Sequence, residues 1–205
     1  MEITAIEPRR KGRSALFLDG EYAVSVDTET LIKSGYRAGQ ELTDEELYEL
    51  LQRSEQRQAN ERALYLLEHR SHAKGELMEK LRRTVSPGAA EAAADRMEEL
   101  GLIDDEDYAR RYAGELFRRK GYSQRRVILE LTRKGIDKDL AEELAEELSP
   151  DPEEKILAVL EKKYPNCLED EKTKRRAVAA LQRLGYGWEE IKDAMAAFGE
   201  QQDCF

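Results

Sequence analysis

Residues 123–137, SQRRVILELTRKGID, decide how this chain is read. Val127 and Leu131 are four apart, the spacing that places two side chains on one face of a helix. Ser123 stands where an N-cap belongs, and Gly135 follows the last periodic residue as a C-cap does. The unit recurs at a fixed interval. Leu77-x-x-x-Leu81 lies 50 residues before it and Ala177-x-x-x-Leu181 lies 50 after it, and an arginine follows two residues on in each copy, at Arg83, Arg133 and Arg183. Two copies close on glycine, Gly135 and Gly185, whereas the first continues through Val85-Ser86-Pro87-Gly88. Each copy has a helical stretch before it (about 60–70, 105–120 and 152–164) and one after it (about 88–100, 137–148 and 188–198). Chance recurrence among leucine-rich helices is the alternative. The pattern predicts three tandem three-helix modules, 60–103, 104–150 and 151–205. One such unit buries little surface alone, so neighbours sharing faces in an elongated curved rod are expected.

Working outward, the first fifty residues have a different texture. ITAIEP (3–8) and RSALFLDGEYAVSV (13–26) alternate or run apolar around Asp19-Gly20, a strong short hairpin signal because a type I′ turn needs positive φ at both central residues. A small antiparallel sheet is expected within residues 1–50, with a short helix over Asp27–Ser34 closed by Gly35. Thr43 and Glu46 then form a capping box that opens another helix. Between Leu51 and Leu64 that helix, QRSEQRQANER (52–62), has no large apolar side chain, and a helix polar all round usually bridges modules through solvent. A linker helix over 43–70 is therefore expected, with two separate helices as the alternative. The predicted class is mostly α: helix-turn-helix-like repeats preceded by a small antiparallel β-sheet and a linker helix.

Composition bounds the function. With 38% charged residues and a net charge of −10, the whole-chain field opposes a polyanion, so nucleic-acid contact has to come from a local basic patch. Two cysteines, Cys167 and Cys204, make no disulfide framework and, with two histidines, no zinc site. Neither a signal-peptide apolar region nor a membrane-length apolar run is present, and a cytoplasmic protein is expected. No Walker-type or Rossmann glycine loop occurs, and no cofactor is expected. Ser71-x-x-Lys74 matches a short nucleophile motif, but Ser71 is read as a helix N-cap. His69 and His72 straddle that break, without a third ligand nearby.

The basic stretch is more informative. Residues 108–135 hold nine bases (Arg110, Arg111, Arg118, Arg119, Lys120, Arg125, Arg126, Arg133 and Lys134) against two acids, whereas residues 136–171 hold thirteen acids against four bases. Arg125 and Arg126 fall in the first turn of a helix, where the dipole favours acids, which points to an outside anion. Lys174, Arg175 and Arg176 repeat that position in the third module. A solvated basic face is the bland reading; a partner- or DNA-binding surface is the sharper one.

GLIDDEDYARRYA (101–113), with ALYLLEHRSHAKGELMEKL (63–81) upstream and KGYSQRRVILELTRKGID (120–137) downstream, resembles the RecX family of bacterial regulators of the RecA recombinase. The likeness runs over about residues 58–200 and includes the element from Arg70-Ser71 to Glu76-Leu77. It implies a helical-repeat protein that binds the RecA nucleoprotein filament and inhibits strand exchange, ATP hydrolysis and coprotease activity. Apart from the resemblance, no catalysis, a monomer and no membrane are expected, and the basic stretch is expected to face either DNA phosphates, in a weak direct contact, or an acidic recombinase surface. In the fingerprint, Asp104 and Asp105 are expected at a helix start, with Leu102, Ile103 and Tyr108 packed between modules. A stand-alone helix-turn-helix DNA binder and a helical enzyme with an unrecognised site are the competing functions.

Overall fold

A computed structural model describes residues 1–203 and places them in two compact units, Met1–Asp104 and a second from Asp105 onward. Cys204 lies outside the described residues.

The first unit opens with strands β1 (Ile3–Pro8), β2 (Arg13–Leu18) and β3 (Glu21–Asp27), an antiparallel sheet in the order β1-β2-β3. Asp19 and Gly20 join β2 to β3 with φ of 50° and 89°, the two positive values a type I′ turn requires. Helix α1 (Thr28–Ser34) follows at once, its N-terminus capped by the Asp27 carboxylate and its end closed by left-handed Gly35. Helix α2 (Asp44–His69) starts on the Thr43–Glu46 capping box and runs unbroken for 26 residues. Helices α3 (Lys74–Leu81) and α4 (Pro87–Glu99) complete the unit.

Helix α2 is continuous, but its polar middle does not bridge through solvent. Its start packs with Ile3, Leu16, Val26, Leu31 and Leu42 through Leu50, and its end packs with Leu77, Leu81, Ala90, Ala93 and Met97 through Ala59 and Ala63. Between the two, the buried Ser54 Oγ accepts from Asp27 N at 2.7 Å, and Glu55 takes both the N–H and the hydroxyl of Ser86 at 2.8 Å. Arg57 reaches Asp27 at 3.0 Å and Glu61 at 2.9 Å, and pairs with Glu29. Alanine and serine let neighbouring backbones approach closely. The burial therefore rests on small side chains and cross-element hydrogen bonds, not on the large apolar residues that a periodicity search looks for.

Ser71 is not a cap: the N-cap of α3 is Ala73, with no side-chain bond, and Ser71 is exposed two residues earlier. The local chain is set instead by Glu76, whose carboxylate takes Arg70 at 2.8 and 3.2 Å and His72 Nδ1 at 3.1 Å. This arrangement explains the pairing of Arg70 with Glu76 in the sequence element. His72 is buried while His69 is exposed and stacked on Tyr65, so the two histidines face different surroundings. Ile103 is buried in the helical core of this unit, whereas Leu102 is 48% exposed, against the expectation that it packs.

The second unit comprises α5 (Asp105–Glu115), α6 (Gln124–Arg133), α7 (Lys138–Leu148), α8 (Pro152–Lys163), α9 (Glu171–Leu184) and α10 (Trp188–Asp203). Helix α5 widens into a π-helical turn over Leu116–Lys120 before left-handed Gly121 ends it. The repeat that organised the sequence is the innermost layer: Leu77, Leu81, Val127, Leu131, Ala177 and Leu181 are all 0% exposed. Arg133 and Arg183 are exposed in the last turns of the same helices, and Arg83 is exposed in the turn just past the first.

Candidate partner-binding surface

All twelve basic candidates lie in the second unit. The structure divides them by what each already touches. Arg110 pairs with Glu147, and Arg111 holds Asp107 at 2.8 Å, Arg119 holds Glu115 at 2.8 Å and Arg175 holds Glu171 at 3.2 Å. The last three are acid-before-base pairs four apart, the favourable orientation on a helix. Glu130 takes two arginines, Arg126 at 2.8 Å and Arg133 at 3.1 Å. Lys134 lies over the ring of Tyr112 at 5.8 Å.

Five remain. Arg118, Lys120, Arg125, Lys174 and Arg176 are exposed and form no ion pair among the described residues. Arg118 and Lys120 sit on the π-helical turn, anchored from behind by buried Leu116 and Phe117. Arg125 is in the first turn of α6, and Lys174 and Arg176 are near the start of α9. Each therefore presents its full charge to solvent from a backbone fixed by packing. Arg125 is exposed in that first turn without an ion pair, whereas the Arg126 guanidinium turns back to Glu130 and over Tyr122 at 5.5 Å.

The start of α6 is itself locked from the third repeat. Ser123 caps α6 by accepting from Arg126 N at 3.3 Å, and donates its own N–H to Leu184 O at 3.0 Å. Gly185, at φ 100°, brings its bare Cα against this cap; a Cβ there would stand 2.5 Å from Ser123 Oγ and 2.6 Å from Arg126 Cβ. The glycine that sequence reasoning took for a helix stop is also the contact joining the ends of two repeats. No local spacing signals this, because the partners are more than 50 residues apart in the chain. Near α9, the Thr173 hydroxyl and N–H, together with the Lys172 N–H, hold the Asp170 carboxyl below the usual carboxylate range. Tyr108 is buried, with its ring 5.8 Å from that of Tyr112. No three His, Cys, Asp or Glu side chains come together as a cation site among the described residues, and no helix among them is long and apolar enough to cross a membrane.

Fold and surface together define a helical-repeat protein, preceded by a small antiparallel sheet, with basic side chains divided between internal pairing and solvent. Residues 1–43 match the regulatory protein RecX N-terminal domain, residues 104–144 the second RecX three-helix domain, and residues 151–195 the third. The chain is 31% identical to a regulatory protein RecX of Caldanaerobacter subterraneus subsp. tengcongensis over 95% of its own length and 98% of the relative's. It is 29% identical to one of Bacillus subtilis, over 98% and 78%. A crystal structure of regulatory protein RecX superposes with a TM-score of 0.62 at 23% identity, covering 94% of this chain and 98% of the other. RecX from Lactobacillus salivarius gives 0.60 at 22% identity, over 71% and 97%. The chain belongs to the RecX family of regulatory proteins.

Proposed function

We propose that this chain regulates the RecA recombinase by binding the RecA–DNA nucleoprotein filament, lowering strand exchange, ATP hydrolysis and coprotease activity with no catalysis of its own. Family membership across nearly the whole chain carries the reading. The five bases without an ion pair supply its contact, since they offer positive charge without first breaking a salt bridge or a ring contact. The protein acts as a cytoplasmic monomer, its helical part working as the modules 60–103, 104–150 and 151–205.

The test is RecA's single-stranded-DNA-dependent ATP hydrolysis with this protein titrated to equimolar. Inhibition should be lost when Arg118, Lys120 and Arg125 are changed to glutamine, and kept when the internally paired Arg111, Arg119 and Arg133 are changed instead. Equal loss from both sets would refute the division of the surface. Unchanged hydrolysis with the unaltered protein, and no co-sedimentation with filaments, would sink the reading and favour a stand-alone DNA binder.

A further inference from the structure

The N-terminal sheet carries a feature that the family reading leaves unused. The loop joining β1 to β2 reads Arg9-Arg10-Lys11-Gly12-Arg13, four bases and no acid within five residues of a chain whose net charge is −10. Arg13 is turned inward: its guanidinium donates to the Ser25 carbonyl and to Gln58 at 3.1 Å, fixing the base of the hairpin to β3 and α2. Arg9, Arg10 and Lys11 are exposed. Arg9 has one exposed partner, Glu7 at 2.9 Å, whereas Arg10 and Lys11 form no ion pair among the described residues. Asp27 and Glu61 share a shallow depression with Lys11 and Arg13, but both are already held by Arg57 at 3.0 and 2.9 Å.

The backbone supplies a second, independent observation. Lys11 has φ 59° and Gly12 φ 65°. The neighbouring β2–β3 turn fills its two left-handed positions with Asp19 and Gly20, as their conformational preferences favour. The β1–β2 turn sets a lysine where asparagine, aspartate or glycine is the better fit, and the strain runs against folding. The tip is nevertheless held firmly: Arg9 N donates to Arg13 O at 2.7 Å and Thr28 N to Gly12 O at 2.9 Å. A strained position that keeps a long cation, beside a second unpaired cation on a rigid tip, is arranged for an external anion.

We propose that the tip of the β1–β2 hairpin is a nucleic-acid contact in which Arg10 and Lys11, with Arg9 beside them, take phosphodiester oxygens of a DNA backbone. Exposed flexible cations on a rigid turn fit a repeating, solvent-facing row of phosphates without base selectivity, which is the chemistry of phosphate contacts. Its residues are other than the twelve basic candidates, and its contact with DNA does not depend on RecA.

The experiment is fluorescence anisotropy of a labelled DNA duplex with the full chain, without RecA, as salt is varied. The variant Arg10→Gln/Lys11→Asn removes two cations while giving the turn a residue better suited to its left-handed φ. Each lost phosphate contact lowers the salt slope by about 0.9, so the unaltered protein should lose about tenfold more affinity than the variant between about 50 and 200 mM salt. Its thermal midpoint should hold or rise, separating lost contact from lost fold. Arg10→Gln alone, outside the strained position, should give about half the change in slope. Equal salt slopes in all three proteins, no duplex binding by the unaltered protein, or a loss confined to binding of phosphatidylserine vesicles would each overturn the proposal. RecA inhibition is read in a separate assay, so failure here leaves the RecA reading standing, and the reverse.

Discussion

Replacing Gly185 with alanine tests the contact that joins the ends of α9 and α6. The residue has φ 100°, and an added Cβ meets Ser123 Oγ at 2.5 Å, Arg126 Cβ at 2.6 Å and Arg126 N at 3.4 Å. The left-handed conformation costs an L residue about 1–2 kcal/mol. Overpacking costs about 1–3 kcal/mol more, because Cβ and backbone atoms cannot swing aside as a side-chain tip does. The expected loss is therefore about 3 kcal/mol. Gly121→Ala is the control, in the same unit at φ 65° with nothing within 4 Å of its Cβ, and should show the conformational part alone. Urea unfolding followed by far-UV circular dichroism and by the fluorescence of Trp188, the chain's one tryptophan, reads both variants. With a slope of about 2 kcal/mol per molar urea, the midpoint of Gly185→Ala should fall about 1 M below that of Gly121→Ala. Coincident midpoints would refute the close approach of the two repeats.

Three further outcomes are expected. Thr43→Ala removes the side-chain oxygen from the capping box of α2 and should cost about 1 kcal/mol by the same unfolding measurement, whereas Ser71→Ala, which caps nothing, should stay within about 0.5 kcal/mol. Leu131→Ala empties a wholly buried site at the centre of its repeat and should cost about 2–5 kcal/mol; a loss under about 1 kcal/mol would contradict the packing. Burial holds the His72 pKa below its ordinary value of about 6.5, against the raising effect of its hydrogen bond to Glu76. The unfolded chain thus takes up this proton first on acidification. The associated stability is fully present above about pH 6.5 and is lost as pH falls through the folded pKa. His72→Gln should flatten that decline, and a wild-type slope unchanged in the variant would count against it.

Elements that rest on local chemistry were legible in the sequence. Asp19-Gly20, the Thr43–Glu46 box and the recurring apolar pair required only neighbours within a few residues, and each stands in the structure where its spacing put it. Misreadings came where burial rests on small or polar side chains. The middle of α2 looks solvent-facing because Ser54, Ala59 and Ala63 carry no hydrophobic bulk, yet all three are buried. Ser71 resembled a cap because serine favours that place, while the buried His72 and the Arg70–Glu76 pair shift the helix start to Lys74. The basic face was visible as composition. Its division was half visible: pairs four apart, such as Asp107 with Arg111, follow from spacing, but Arg110 with Glu147 spans 37 residues and needs the fold.

The unbroken run of α2 has a consequence for how the first unit comes apart. At 26 residues the helix spans about 39 Å, and both hydrophobic clusters of the unit draw side chains from it. Fraying it from either end exposes a cluster, so the amides of its middle turns should exchange with solvent only through opening of the whole unit. Across its middle the two halves are tied crosswise: Glu55 holds Ser86 on the helical side, and Arg57 holds Asp27 and Glu29 on the sheet side. A cut between Glu55 and Arg57 would sever both ties, and a grafted sheet ending before Arg57 would lose its pairs with Asp27 and Glu29. What reads along the chain as a solvent-bridging linker is a helix whose two ends enter two different cores.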